Sequence, residues 1–147
     1  MIGVLLVAHG KLAGGLLNSA VMILGPIKAI DIIELDEETT PDMLRNQVIE
    51  VVSRLMNEEG VIILTDLRGA TPFNVTADLV EKDRISVITG MNLPLLLQVL
   101  MDRDRHNLNE ITTSAIIAGR EGIADAANLI EEHRATPQEL ESSQEVF

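Results

Sequence analysis

Cysteine, tryptophan and tyrosine are missing from the chain, and two phenylalanines are all the aromatic bulk it has. Without cysteine there are no disulfides, no thiolate zinc sites and no sulfur nucleophile, and the redox compartment is left open. Without aromatic bulk the core has to be aliphatic, and the 46% hydrophobic content supplies it. That content also argues against a disordered chain. Basic residues are scarce: 11 Lys plus Arg stand against 23 Asp plus Glu, for a formal net charge of −12. Such a surface repels phosphate backbones, so no nucleic acid partner is expected, whereas a basic protein would be drawn in. Acidity also serves solubility by itself. No apolar run approaches the roughly 20 residues of a membrane helix. The first apolar run lacks a basic leader and is broken by His9 and Lys11, so neither secretion nor direct membrane insertion is expected. The chain reads as a soluble, cytoplasmic domain.

What is present is a regular alternation. The 147 residues suit one domain. Apolar strand-like runs occur at residues 2–8, 29–35, 61–65 ("VIILT") and 85–89 ("ISVIT"). Each leads toward a helical pattern. The first helix is expected over 11–24, with Leu12, Leu16, Leu17, Val21 and Leu24 on one face and Gly25-Pro26 as its stop. Thr40-Pro41-Asp42 opens a second, Thr71-Pro72 a third through about residue 82, and Asn92 caps a fourth. In the third, Thr71 is expected to be the N-cap. Strands alternating with helices predict an α/β fold: an open, doubly wound, mainly parallel sheet with helices on both faces and flavodoxin-like proportions. Beyond Arg105 the signal weakens. Residues 108–118 read as a helix broken at 119–122, residues 123–132 as helix or edge strand, and "DRDRHN" as a solvated helix end. The domain is expected over 1–133, with a polar tail over 134–147.

In open α/β sheets ligands bind outside the carboxyl ends of the strands. Those ends carry His9-Gly10, Asp36, the run Asp66-Leu67-Arg68-Gly69-Ala70-Thr71, and Thr89-Gly90-Met91-Asn92. The opposite rim shows only turn residues. His9 has no histidine near it at ligand spacing, so no metal is expected. As a general base it would need a nucleophile, and Thr71 is a poor one. As a nucleophile it needs one ring nitrogen free and the other held by an acceptor, for which Asp66 is suited. It can also be a strand-terminal histidine that merely bonds backbone. Asp66 can equally cap its own turn. The hydroxyl of Thr71 and the first N–H groups of the helix it opens would make an anion site, with Gly69 and Ala70 allowing close approach. GxxxxGK[ST] and GxGxxG are both absent, so neither a P-loop nor a dinucleotide cofactor is expected.

"LLVAHGKLAGGLLNSAVMILG", "LTDLRGATPFNVT" and "VITGMNLPLLLQVL", spread in order over residues 1–103, resemble the mannose-family enzyme IIA domain of the bacterial phosphoenolpyruvate-dependent sugar phosphotransferase system; "AGREGI" resembles its C-terminal part. The resemblance implies that His9 is the phosphorylated histidine. It implies that Asp66, the aspartate of a D-x-x-G-G-[ST]-P motif, holds the imidazole Nδ1–H, and that Thr71 helps bind the phosphoryl group. Gly10, Arg68, Gly69, Ala70 and Asn92 then line the phosphate crevice. It further implies a phosphohistidine phosphotransferase without cofactor or metal. The group would come from the histidine-containing phosphocarrier protein and pass to a IIB protein. A homodimer is implied as well, with an exchanged antiparallel edge strand after Gly122.

The motif departs from the family at three places. Arg68 replaces an exposed aromatic, Ala70 the second glycine, and Thr71 the usual serine. Thr71 keeps the hydroxyl, Ala70 disfavours positive φ, and Arg68 changes the docking surface and can reach phosphate. The chain stops soon after His133, so the IIB component is expected as a separate protein. Three other readings compete. They are a regulatory module whose phosphorylation state a partner senses, the phosphoryl-donor subunit of a dihydroxyacetone kinase, and a flavodoxin-like binding domain with an inert His9. "NLPLLL" favours the mannose type over the kinase subunit.

Overall fold

The computed structural model describes residues 1–135. Its strands are β1 (Gly3–His9), β2 (Ile30–Leu35), β3 (Val61–Thr65) and β4 (Ile85–Ile88). Its helices are α1 (Leu12–Leu24), α2 (Pro41–Leu55), α3 (Thr71–Ala77), α4 (Leu93–Asp102), α5 (Leu108–Glu121) and α6 (Ala126–Ala135). All four strands are parallel, in the order β2-β1-β3-β4. The expected parallel, doubly wound architecture is therefore present.

The side chains of β1 show why. Val4 to Ala8 are all inaccessible to solvent. Successive residues of a strand point to opposite faces. Val4, Leu6 and Ala8 accordingly pack with α1, α4 and α5, and Leu5 and Val7 with α2 and α3. Burying each such side chain contributes about 1.5–3 kcal/mol, which fixes β1 as a central strand. The helix signals hold at α2 and α4. Thr40 Oγ1 accepts from Met43 N–H at 3.2 Å, and Asn92 Oδ1 accepts from Leu95 N–H at 3.0 Å. Asn107 and Glu110 form a reciprocal capping box at α5.

Four expectations are corrected. The third helix stops at Ala77 and tightens into a 3-10 turn over Asp78–Glu81. The fifth does not break at Gly119. A Cβ there would lie 3.1 Å from the Leu95 side chain, so this glycine lets α5 close on α4 and does not end a helix. The exchanged edge strand after Gly122 is not formed among the described residues, because residues 126–135 form α6. Ala126, Ala127, Leu129, Glu131 and Glu132 are helix formers, and no β-branched run opposes them. Finally, Arg103 in "DRDRHN" is not solvated: it is 4% exposed. Its guanidinium donates to the carbonyls of Ile2 at 3.3 Å and Ala29 at 3.1 Å, and to that of Lys28. The tail expected over 134–147 lies outside the described residues beyond Ala135.

The two edges of the sheet differ. Val4 N–H bonds Ala29 O and Gly10 N–H bonds Leu35 O, so odd-numbered carbonyls of β2 face β1 and Ile32 N–H faces away. Asp31 Oδ1 turns back to accept that N–H at 3.0 Å, and Asp31 Oδ2 faces Arg54 at 3.4 Å. The outer side of β4 has no such acceptor among the described residues. It borders a groove of about 360 Å³ lined by Phe73, Val87, Thr89, Ile116, Arg120 and Ile123, among others.

Candidate functional site

From β1 the chain crosses to β2 on one side and later to β3 on the other, so the winding reverses between β1 and β3. Crevices in such sheets open at that switch point, at the carboxyl ends. β1 ends in His9, and Asp66 follows the last residue of β3. The sheet thus brings together two residues 57 apart in the chain. The His9 main-chain N–H donates to Asp66 Oδ2 at 2.9 Å, and the ring Nδ1–H donates to the same oxygen at 2.7 Å. The other oxygen, Oδ1, accepts from Leu67 N–H at 2.8 Å.

These contacts decide the protonation states. Burial is the largest influence on Asp66 and pushes its pKa up. The bonds from the His9 main chain and ring, attraction to that ring and the Leu67 N–H outweigh it, and the carboxyl is held below its usual value. Asp66 is therefore ionised near neutrality and can only accept. The proton of the His9–Asp66 bond must sit on Nδ1, which leaves the lone pair of a neutral ring on Nε2. That nitrogen has no partner among the described residues. The His9 side chain is 51% exposed and that of Asp66 10%. The ring presents a free nitrogen to the outside while its other nitrogen is tied to a mostly buried charge.

The loop after Asp66 is built to stay open. Gly10 (φ +58°) and Gly69 (φ +78°) take left-handed conformations, with nothing within 4 Å of where a Cβ would sit. It is their backbone angle, not crowding, that calls for glycine. Ala70 adopts φ −86°, so alanine is tolerated where the family motif has glycine. Ala70, not Thr71, is the N-cap residue of α3, and no side chain caps that helix. This corrects the expected Thr71 cap: Thr71 is the first helical residue, and its hydroxyl makes no hydrogen bond among the described residues. Asn74 holds the loop from below, with Nδ2 donating to Gly69 O at 3.1 Å. Sequence reading passed over Asn74, although an asparagine one turn into a helix can reach back to the preceding loop.

The other rim residues serve the fold. Asp36 closes its own turn, accepting from Glu38 N–H at 2.9 Å and the Thr39 hydroxyl at 2.8 Å. Asn92 caps α4 and donates from Nδ2 to Gly119 O at 3.0 Å, so both its polar atoms are engaged. Thr89 Oγ1 is buried without a partner among the described residues. Arg68 is exposed. His106 lies far off, paired with Glu110 at 3.3 Å.

No group of three or more metal-ligating side chains occurs among the described residues. None of their helices is long and apolar enough to cross a membrane. A cavity of about 580 Å³ lies on the opposite rim among Glu58, Glu59, Asp83, Arg84, Asp104 and His106. It is larger than the groove beside β4, but its charges have both signs and no unpaired nucleophile faces it. The exposed ring of His9, with Nε2 unpartnered among the described residues, lies on the other rim.

Known proteins resemble this chain in sequence and in fold. A family model described as EIIA-man, PTS system fructose IIA component, matches residues 3–116. The mannose-specific EIIAB component of Escherichia coli (strain K12) is 32% identical over 124 residues, 83% of this chain and 38% of that protein. The chain thus spans 38% of the length of the curated relatives it matches first. The sorbose-specific EIIA component of Klebsiella pneumoniae is 34% identical over 101 residues, 68% of this chain and 73% of the other. The crystal structure of an EIIA component from Streptococcus agalactiae superposes with a TM-score of 0.80 at 30% identity, covering 87% of this chain and 99% of that one.

Proposed function

Since the chain belongs to the mannose-type EIIA family of phosphotransferase-system components, we propose that it carries a phosphoryl group on His9 Nε2. The group comes from a histidine-containing phosphocarrier protein and leaves to a IIB protein. The observation that carries this reading is the 2.7 Å bond from His9 Nδ1–H to Asp66 Oδ2, which leaves Nε2 as the nucleophile. As the new P–N bond forms, the ring becomes positive. A fixed carboxylate opposite Nδ1 stabilises that charge where it develops. Gly10, Arg68, Gly69, Ala70 and the free Thr71 hydroxyl line the approach. Phosphoryl transfer needs mainly positioning and charge stabilisation, and this site supplies both without a metal.

Exposure supports a protein donor. A phosphohistidine carried on another protein cannot enter a deep pocket, and the His9 ring is half in solvent on an open rim. On this reading the protein works in the cytoplasm as a homodimer, to be checked by sedimentation. Incubation with phosphoenolpyruvate and the two upstream general proteins should place one acid-labile phosphate on the chain. Equal labelling of the His9→Ala variant would refute the assignment.

A further inference from the structure

Lys11 sits where helix chemistry disfavours it. It occupies the N-cap of α1, yet a lysine has no acceptor to offer the first N–H groups, and no side chain caps that helix. A cation at the positive end of a helix is unfavourable. Local rules broken without visible compensation point to a functional demand. A second observation concerns what surrounds it. The chain has 23 acidic residues, but α1 and α3, the two helices that begin beside His9 and the Asp66 loop, contain none. By contrast, α2 and α5 carry Asp42 and Glu110 in their first turns. Third, Arg68, two residues after Asp66, is exposed, and neither its side chain nor that of Lys11 has a partner among the described residues. Among the described residues the only acid touching His9 is Asp66, and its charge is committed to the ring and to Leu67.

An acidic protein has therefore kept two cations without a hydrogen-bond or ion-pair partner among the described residues, Lys11 two residues after His9 and Arg68 two residues after Asp66, on the two loops that the His9–Asp66 bond joins. We propose that Lys11 and Arg68 form a cradle for the dianionic phosphoryl group on His9 Nε2. This deepens the phosphoryl-carrier reading and rests on it. In the transfer the P–N bond of the donor phosphohistidine breaks as the His9 Nε2–P bond forms. The donor nitrogen keeps the electron pair of the broken bond, and His9 Nδ1 keeps its proton. The PO3 unit arrives with close to two negative charges. Lys11 and Arg68 oppose that charge only after arrival, so they favour the phosphorylated protein and bias the distribution toward His9.

The test is the equilibrium of phosphoryl groups between the phosphocarrier protein and this chain, with rates followed in both directions for wild type, Lys11→Gln, Arg68→Gln and Lys11→Arg. Each Gln variant should shift the equilibrium toward the phosphocarrier protein by about three- to tenfold, as expected for one exposed charge near a dianion. Lys11→Arg should restore it, and about 1 M salt should shrink the differences to under about twofold. Equilibria within about twofold of wild type in both Gln variants overturn the cradle. So do forward and reverse rates that fall together at constant equilibrium, because the cations would then serve docking of the partner. A wild-type chain that takes no label on His9 removes the carrier reading, and the cradle with it; a labelled chain with unshifted equilibria removes the cradle alone.

Discussion

Replacing Asp66 by Asn keeps the shape of the side chain and removes its charge, so it isolates what the carboxylate does. Asp66 accepts three hydrogen bonds, two on Oδ2 from His9 and one on Oδ1 from Leu67 N–H. An amide has one acceptor oxygen. If that oxygen stays on Leu67, the NH2 group faces the His9 ring. The ring must then move its proton to Nε2 so that Nδ1 can accept, and the nucleophilic lone pair is lost. If the oxygen turns to His9, the amide opposes Leu67 N–H and still lacks the charge that balances the phosphorylated ring. A charge-assisted bond in this largely buried position, plus the attraction across 2.7 Å, amounts to about 2–4 kcal/mol at an intermediate effective dielectric. Taken from the transition state, that is about 30- to 1,000-fold in rate. Single-turnover transfer from the phosphocarrier protein, followed by rapid quench, measures it. The tautomer can be read independently from the His9 ring nitrogen shifts. An Asp66→Asn protein that transfers within about threefold of wild type, with its proton still on Nδ1, would sink the argument that the carboxylate fixes and stabilises the ring.

Other outcomes follow from the same contacts. Thr71→Ala should slow phosphoryl transfer by roughly three- to thirtyfold while the melting temperature stays close to wild type. The hydroxyl caps nothing, so on the proposed phosphoryl-carrier reading its loss costs only a hydrogen bond to the phosphoryl group. The Asp66 carboxyl is held below its unfolded value, so its contribution to stability is complete above the unfolded carboxylate pKa, about 4, and fades as pH falls through the folded one. In urea titrations the gap in stability between wild type and Asp66→Asn should therefore be constant near neutrality and close below about pH 4. Arg103→Met should cost about 2–4 kcal/mol in the same assay, because the Ile2, Lys28 and Ala29 carbonyls lose their buried donor.

How far the sequence speaks depends on whether a signal is local. The strands were legible because residues buried on both faces, such as Val4 to Ala8, leave continuous apolar runs. His9 and Asp66 were legible as strand-end residues, but their pairing needs β1 beside β3, and strand order is not written in any window of sequence. Thr71-Pro72 looks like a cap and first turn. The actual boundary lies one residue earlier because Leu67 O and Ala70 N–H close a turn before the helix starts. Gly119 reads as a helix breaker, and only the approach of α4 reveals it as a packing glycine. Arg103 was hidden inside a charged run. Its spacing of four from Val99 and seven from Leu96, both buried, was the available hint.

The unequal edges of the sheet bear on how such molecules can join. Residues 30, 32 and 34 turn their main-chain groups outward on β2, and Asp31 occupies the middle N–H, that of Ile32. A strand docking on that edge would meet a gap in the centre of its ladder, whereas β4 offers no such interruption among the described residues. Two copies meeting through β4 would turn their interrupted β2 edges outward. Edge-to-edge growth would then have to pass the 3.0 Å Asp31 contact on the far side of each molecule.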